Sequence, residues 1–327
     1  MRTPLCDLVG IEVPVVLAPM GGAVTPELAA AASNAGALGM LPLTWTSPDE
    51  IVTVVEETRQ RTERPFGVNL GLAWDQRERL ASTLRAGVRV VSLFWGDASA
   101  LIGEAREEGA IVFVTVGTAE EGRAATGAGA DVIVAQGWEA GGHVWGSVST
   151  LALVPRVVDA VAPIPVVAAG GIADGRGLAA VLALGAAGAW VGTRFLAASE
   201  AAIHPDYRRR ILAAGEADTF YGTLFDRGWP DAPHRTLRNS TVEAWEQAGR
   251  PPSGSRPGED DEPASRPDGS PINRYASSTP TAGMGGDVEP LPHWAGQGIG
   301  LVTREESAAE IVASLVTEAE EVISSLS

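Results

Sequence analysis

The residues best placed to do chemistry form one short run, Gln136-Gly137-Trp138-Glu139-Ala140-Gly141-Gly142-His143. Two glycines just before a histidine let the chain fold back and present the imidazole. Histidine is the side chain whose charge changes near neutral pH, so His143 is the natural proton-transfer candidate. A structural histidine bonded to a backbone carbonyl is the alternative, and the spacing alone leaves both readings open. Glu139 reads as a loop-bracing carboxylate, and His204, His234 and His293 read as structural or surface groups. Two further pairs, Gly170-Gly171 and Gly192-Thr193, each follow a short apolar run. Glycines there expose backbone N–H groups and Thr193 adds a hydroxyl donor, which together could cradle a phosphate. Taken singly, each pair is also ordinary turn chemistry.

These candidates need a scaffold that brings them together. Apolar runs at Val15–Ala18, Ala37–Met40, Phe66–Asn69, Val88–Phe94, Ile111–Val114, Asp131–Ala135, Ile164–Ala169 and Gly188–Val191 alternate with segments of helical composition. Their continuous hydrophobicity marks parallel strands buried on both faces. Helix starts are legible at Thr25-Pro26-Glu27 and at Ser47-Pro48-Asp49-Glu50, the second with a Glu three residues after the capping serine. Eight strands alternating with helices predict an α/β fold, a (β/α)8 TIM barrel, with an open doubly wound sheet as the alternative. A barrel places its site at the C-terminal ends of the strands. Pro19-Met20-Gly21-Gly22, Asn69, Trp95-Gly96, Gly117, Gln136-Gly137, Gly170-Gly171 and Gly192-Thr193 all fall there. That coincidence is a stronger signal than any single motif.

The barrel is expected over residues 1–200, followed over 201–327 by a helical extension packed on it. Helices read at His204–Ala214, Ser240–Ala248 and Glu305–Leu326. Between them Gly249–Pro290 is loaded with Gly, Pro, Ser and Asp and has few large apolar residues, so it is expected to be a long, mobile loop.

Composition narrows the ligands. The 327 residues carry a formal charge of −17, and all 24 basic residues are arginines. No basic run exceeds Arg208-Arg209-Arg210, so no nucleic-acid partner is expected. An anionic ligand must be held by backbone N–H groups or arginine. A lone cysteine, Cys6, and four scattered histidines exclude a disulfide framework and a Cys-rich zinc site, and no metal is expected. Prolines interrupt the first hydrophobic run and no long apolar stretch follows, so neither export nor a membrane span is expected, and a cytoplasmic location is.

Ala18-Pro19-Met20-Gly21-Gly22, Phe66-Gly67-Val68-Asn69, the Gln136–His143 run, Ala168-Ala169-Gly170-Gly171-Ile172-Ala173-Asp174-Gly175-Arg176-Gly177 and Gly192-Thr193-Arg194-Phe195 together resemble the nitronate monooxygenase family. A later piece, Trp294-Ala295-Gly296-Gln297-Gly298-Ile299-Gly300, shares the likeness. The resemblance implies a barrel holding FMN without a covalent link. It implies Asn69 and Gln136 at the flavin or its ribityl chain, and Pro19 and Met20 against the isoalloxazine. It also implies Gly141, Gly142, Gly170, Gly171, Trp190, Val191, Gly192 and Thr193 at the phosphate, with His143 as the active-site histidine. A small-molecule nitronate, or a nitroalkane, would be oxidised with O2 to a carbonyl compound and nitrite. FMN-dependent enoyl-acyl-carrier-protein reductases, which use NAD(P)H, share much of this pattern. A phosphate-binding barrel isomerase or a flavin-binding protein is the non-redox alternative. No strand–Gly-x-Gly-x-x-Gly–helix fingerprint is present, which favours FMN over FAD.

Overall fold

The structure is a computed structural model and describes residues 1–326. Eight parallel strands form the barrel: β1 (Val15–Leu17), β2 (Gly39–Pro42), β3 (Phe66–Gly71), β4 (Val90–Phe94), β5 (Ile111–Val116) and β6 (Val132–Gln136), then, beyond a two-residue β7 (Gly142–His143), β8 (Val166–Ala169) and β9 (Gly188–Val191). They are ordered β1-β9-β8-β6-β5-β4-β3-β2. The ring closes where Leu17 N–H donates to Leu38 O and Leu38 N–H to Val15 O, each at 2.9 Å. All eight expected strands are present, and closure excludes the open sheet.

Alternation along the strands builds two cores. Inward residues Val16, Leu38, Met40, Val90, Phe113, Val132, Val134 and Val167 fill the barrel. The helix Pro4–Val9 plugs its lower end with Leu5, Cys6 and Val9. Outward residues such as Leu41, Val68, Val91, Ile133 and Val191 meet the surrounding helices. The helix Pro48–Arg59 opens with the expected capping box between Ser47 and Glu50. At the helix Pro26–Asn34, Thr25 occupies the cap position but its side chain makes no cap bond.

After β9 the next helix, Thr193–Leu196, is too short to cover the barrel. The helix Ala308–Leu326 takes that place, packing on the helices Gly175–Ala183 and Pro26–Asn34 that flank the gap. Strands β10 (Thr219–Gly222) and β11 (His234–Leu237) form a three-stranded sheet with β7, in the order β10-β11-β7. The segment after residue 201 thus also supports the strand that carries His143.

Gly249–Pro290 is irregular, as its composition suggests, and it carries contacts of its own that composition did not show. It holds β12 (Ala264–Ser265), β13 (Pro271–Ile272) and β14 (Gly285–Gly286), and Ala264, Ile272 and Val288 pack with Leu291 into a small apolar cluster. Polar groups supply the rest. Arg256 is buried and donates to Glu259, Ser253, Leu224 O and Asp226. A few buried side chains and one fully bonded guanidinium anchor a segment whose average composition looks unfoldable.

Two glycines test the packing. At Gly39, where β2 begins, an added Cβ would lie 2.1 Å from the backbone oxygen of Ala29 in the helix Pro26–Asn34. Gly103, inside the helix Ser99–Glu107, has nothing within 4 Å of that position. Chemical denaturation should show Gly39→Ala destabilised by about 1–3 kcal/mol or more. Gly103→Ala should gain about 0.5–1 kcal/mol from helix propensity.

Candidate functional site

The C-terminal ends of the barrel strands open into a cavity of about 960 Å³, at the upper end of the roughly 300–1,000 Å³ range of cofactor and ligand sites. Pro19, Met20, Asn69, Gln136, Gly141, Gly142, His143, Gly170, Gly171, Trp190, Gly192 and Thr193 all line it. Val191 does not. Successive side chains of a strand face opposite sides, so Trp190 points inward while Val191 joins the layer between strands and helices.

One end of the cavity is a set of backbone donors. Among the described residues, the N–H groups of Gly170, Gly171, Gly192 and Thr193 donate to no backbone acceptor. Gly170 and Gly171 have φ of 106° and 75°, values that L side chains rarely adopt. A Cβ on Gly170 would also sit 2.9 Å from Gly137 O. The hydroxyl of Thr193 accepts from Gly296 N–H at 3.0 Å, which leaves its own hydrogen to donate. The N-terminus of the helix Gly175–Ala183 is not part of this set. Its Gly177 N–H donates to Asp174 at 3.1 Å, and its Gly175 N–H donates to Glu318 of the last helix at 2.9 Å. The free donors therefore belong to the glycine loops.

His143 stands in an aromatic cage. Its ring stacks on Trp229 at 4.0 Å between centroids and 28° between planes, with Trp294 at 5.4 Å, His234 at 5.7 Å and Trp95 at 5.8 Å. Its Nε2 is buried and finds no hydrogen-bond partner. Burial pushes the imidazole pKa down to about 3, and the neighbouring His234 adds to the shift. His234, itself pushed down by burial to about 4, is fully bonded: its Nδ1 lies 2.9 Å from Ala232 O and its Nε2 accepts from Phe225 N–H at 3.2 Å. His293 lies 3.1 Å from Val288 O through Nε2, and His204 caps the helix Pro205–Ala213. Of the four, only His143 lines the cavity.

Gln136 has a bracing role besides lining the cavity. Its amide donates to His143 O at 3.1 Å and accepts from Trp145 N–H at 2.8 Å, which pins the backbone on both sides of Val144. Asn69 donates to the Ser92 hydroxyl at 3.1 Å. Glu139 braces its loop as expected, accepting from the Thr150 N–H at 2.9 Å and hydroxyl at 3.1 Å.

Several lining residues went unassigned from sequence. Gly296 and Gly298 complete the glycine end, and their signals were the short Gly-x-Gly spacing and the likeness carried by Trp294–Gly300. Trp229, Arg227, Arg266 and the Ala276–Thr279 stretch also line the cavity. No local pattern marks them, because they reach the barrel from loops remote in sequence.

Comparison with known proteins agrees with this geometry. The family model described as nitronate monooxygenase matches residues 2–78 and 71–318. A nitronate monooxygenase of Paraburkholderia phytofirmans is 32% identical, covering 99% of this chain and 97% of that protein. The (3aS,4S,5R,7aS)-5-hydroxy-7a-methyl-1-oxo-octahydro-1H-indene-4-carboxyl-CoA dehydrogenase of Mycobacterium tuberculosis is 43% identical over 253 residues, 76% of this chain and 70% of that protein. The solved structure of FabK from Thermotoga maritima superimposes with a TM-score of 0.83 at 31% identity, covering 100% of this chain and 98% of that one. No helix among the described residues is long and apolar enough to cross a membrane. By the match of its sequence from end to end and by its barrel, the chain belongs to the nitronate monooxygenase family and is an oxidoreductase.

Proposed function

We propose that the chain is an FMN-dependent oxidoreductase that oxidises alkyl nitronates, and their parent nitroalkanes, with O2 to a carbonyl compound and nitrite. The observation that carries this reading is one cavity lined both by free backbone donors and by a buried imidazole whose Nε2 has no partner. An unpaired buried polar atom costs about 1–3 kcal/mol, so Nε2 fits a place where a ligand atom completes the bonding.

The residues present fit FMN. Gly170, Gly171, Gly192 and Thr193 offer N–H groups and a hydroxyl to a single phosphate, and Gly141 and Gly142 line the same cavity, which suits a chain without lysine. Asn69 and Gln136 supply polar contacts along the cavity, and Pro19 and Met20 supply apolar surface for a flat ring. When bound, FMN supplies the two-electron acceptor that carbon oxidation needs and passes those electrons on to O2. His143 takes the proton of a neutral nitroalkane. Its depressed pKa keeps it neutral but makes it a weak base, so the transfer depends on the anion that forms beside it to stabilise the resulting imidazolium. The aromatic cage excludes water from the reacting atoms.

A second reading, an acyl-thioester substrate, is favoured by two cations at the cavity mouth. Arg266 bonds only Ser270 and Pro271 O, and the one carboxylate near Arg227 is the fully exposed Asp260 at 3.5 Å. In a chain of charge −17 these two arginines are suited to the phosphates of a CoA thioester, and the relative from Mycobacterium tuberculosis is named for a carboxyl-CoA. Anaerobic mixing of the yellow protein separates the readings. Loss of the flavin's visible absorbance on adding nitronate supports the first; loss only with a hydroxyacyl-CoA or NAD(P)H assigns the site to thioester chemistry.

Two sets of variants test the residue roles. Gly171→Asp puts a carboxylate and a side chain into the phosphate cradle and should give largely apo protein, whereas Thr193→Val should weaken FMN by about 1.5–3 kcal/mol. Cofactor released by heat should co-migrate with FMN; recovery of FAD, or full occupancy of the Asp variant, refutes the cradle. His143→Asn should lower turnover of a neutral nitroalkane by about 10²–10⁴-fold and that of the corresponding nitronate, which has already lost the proton, far less. Because the folded pKa lies near 3, the neutral base is present above that value and lost only as pH falls through it. The pH profile of nitroalkane kcat/KM should therefore show no acid limb at an ordinary histidine value. Equal losses on the two substrates would make His143 a substrate-orienting group.

A further inference from the structure

His143 sits on β7, a strand of only two residues whose first is a left-handed Gly142 (φ 68°). Backbone pairing with β11 fixes its Cα, and side-chain packing must fix the ring. The face-to-face partner is Trp229, which is buried and lies in the β10–β11 connection between Gly228 (φ 102°) and Asp231 (φ 55°). That connection is held from outside the barrel. Arg227 N–H donates to Tyr275 O at 3.1 Å, and Ser277 N–H returns a bond to Arg227 O at 2.9 Å. Arg256 completes the attachment. Its guanidinium lies 4.1 Å above the Tyr275 ring and donates to Leu224 O at 3.0 Å and Asp226 at 2.9 Å. From the excursion itself, Glu259 and Ser253 accept the remaining donors.

We propose that Trp229 is the positioning residue of His143, and that Arg256 couples the 249–290 excursion to the site by fixing the loop that carries Trp229. The excursion is then a strap whose function is to keep the imidazole stacked, dry and aimed into the cavity. A polar guanidinium buried in so glycine-rich a segment is explained by this attachment, since Nη1 donates across to the loop at Leu224 O and Asp226 while Nε and Nη2 are held by Glu259 and Ser253 of the strap itself. The inference rests on His143 being the group beside the reacting atoms, but its test does not. Other titratable or charged groups on the elements packed against the ring are His234 and Arg235 on β11, Asp226, Arg227 and Asp231 on the Trp229 loop, Asp97 beyond Trp95, and His293 before Trp294.

The test follows the titration of His143 by NMR in the full chain, its resonances assigned by difference from His143→Asn. In the native protein the ring should stay neutral down to about pH 3–4. Trp229→Ala should raise its midpoint by about one unit or more toward the ordinary imidazole value, whereas Trp229→Phe, which restores a stacking ring, should leave it low. Arg256→Met should raise it as Trp229→Ala does, and Asp226→Asn serves if that variant does not fold. A low midpoint in Trp229→Ala overturns the positioning role. A low midpoint in both Arg256→Met and Asp226→Asn overturns the coupling. If the midpoints move as stated but His143→Asn retains full turnover, the proposed chemistry fails and the positioning stands.

Discussion

The site depends on one constraint: three loops meet at a distance that only glycine permits. A Cβ on Gly141 would lie 2.4 Å from Gly296 N, one on Gly296 would lie 2.8 Å from Glu139 O, and one on Gly298 would lie 2.8 Å from Gly171 O. The Trp294–Gly300 segment is thus pressed against the loops after β6 and β8. It adds its own bonds there, from Gly296 N–H to the Thr193 hydroxyl at 3.0 Å and from Gln297 N–H to Glu139 O at 2.9 Å. Side chains at these positions would push the loops apart and scatter the donors. Close approach of bare backbone lets an acidic chain without lysine present several N–H groups to one anion.

The other half of the site is built from the opposite material. Where the glycine end is backbone, the histidine end is large aromatic rings: Trp229, Trp95 and Trp294 surround His143, and Trp45 and Trp74 continue the packing from Trp229 outward. Rings remove water without adding charge, so the imidazole stays neutral because protonation in that environment has no compensating anion. Free donors and a dry base in one cavity are consistent with a ligand that carries an anionic group and a separate reacting group.

Two buried arginines outside the cavity have carboxylate partners. Buried Arg194 pairs with Glu306, and Arg256 pairs with both Asp226 and Glu259. Such pairs lose little to solvent screening because they are mostly out of water, and removal of one partner would strand a buried charge. The first ties the segment after residue 201 to the barrel, and the second joins the 249–290 excursion to the loop that carries Trp229.

The sequence by itself determined the barrel and much of the glycine end. Runs of apolar residues recur at intervals that only buried parallel strands explain, and glycine at a strand end is visible because its neighbours are so regular. Within a strand, period-two alternation decides what lines the cavity, and the inward Trp190 beside the outward Val191 is a distinction that closure of the barrel had to settle. The eighth outer helix could not be read either. The piece that fills it, Ala308–Leu326, comes from the far end of the chain, and only the gap left by the short Thr193–Leu196 helix assigns it that place. His143 was legible as a candidate, but its cage was not: Trp229 and Trp294 lie 86 and 151 residues away in sequence, and no local pattern records which remote ring will stack on which. The excursion shows the same limit most clearly. Average composition measures how much surface a segment can bury, whereas Arg256 anchors it through bonds to a loop 30 residues earlier, and such contacts exist only once the chain has folded.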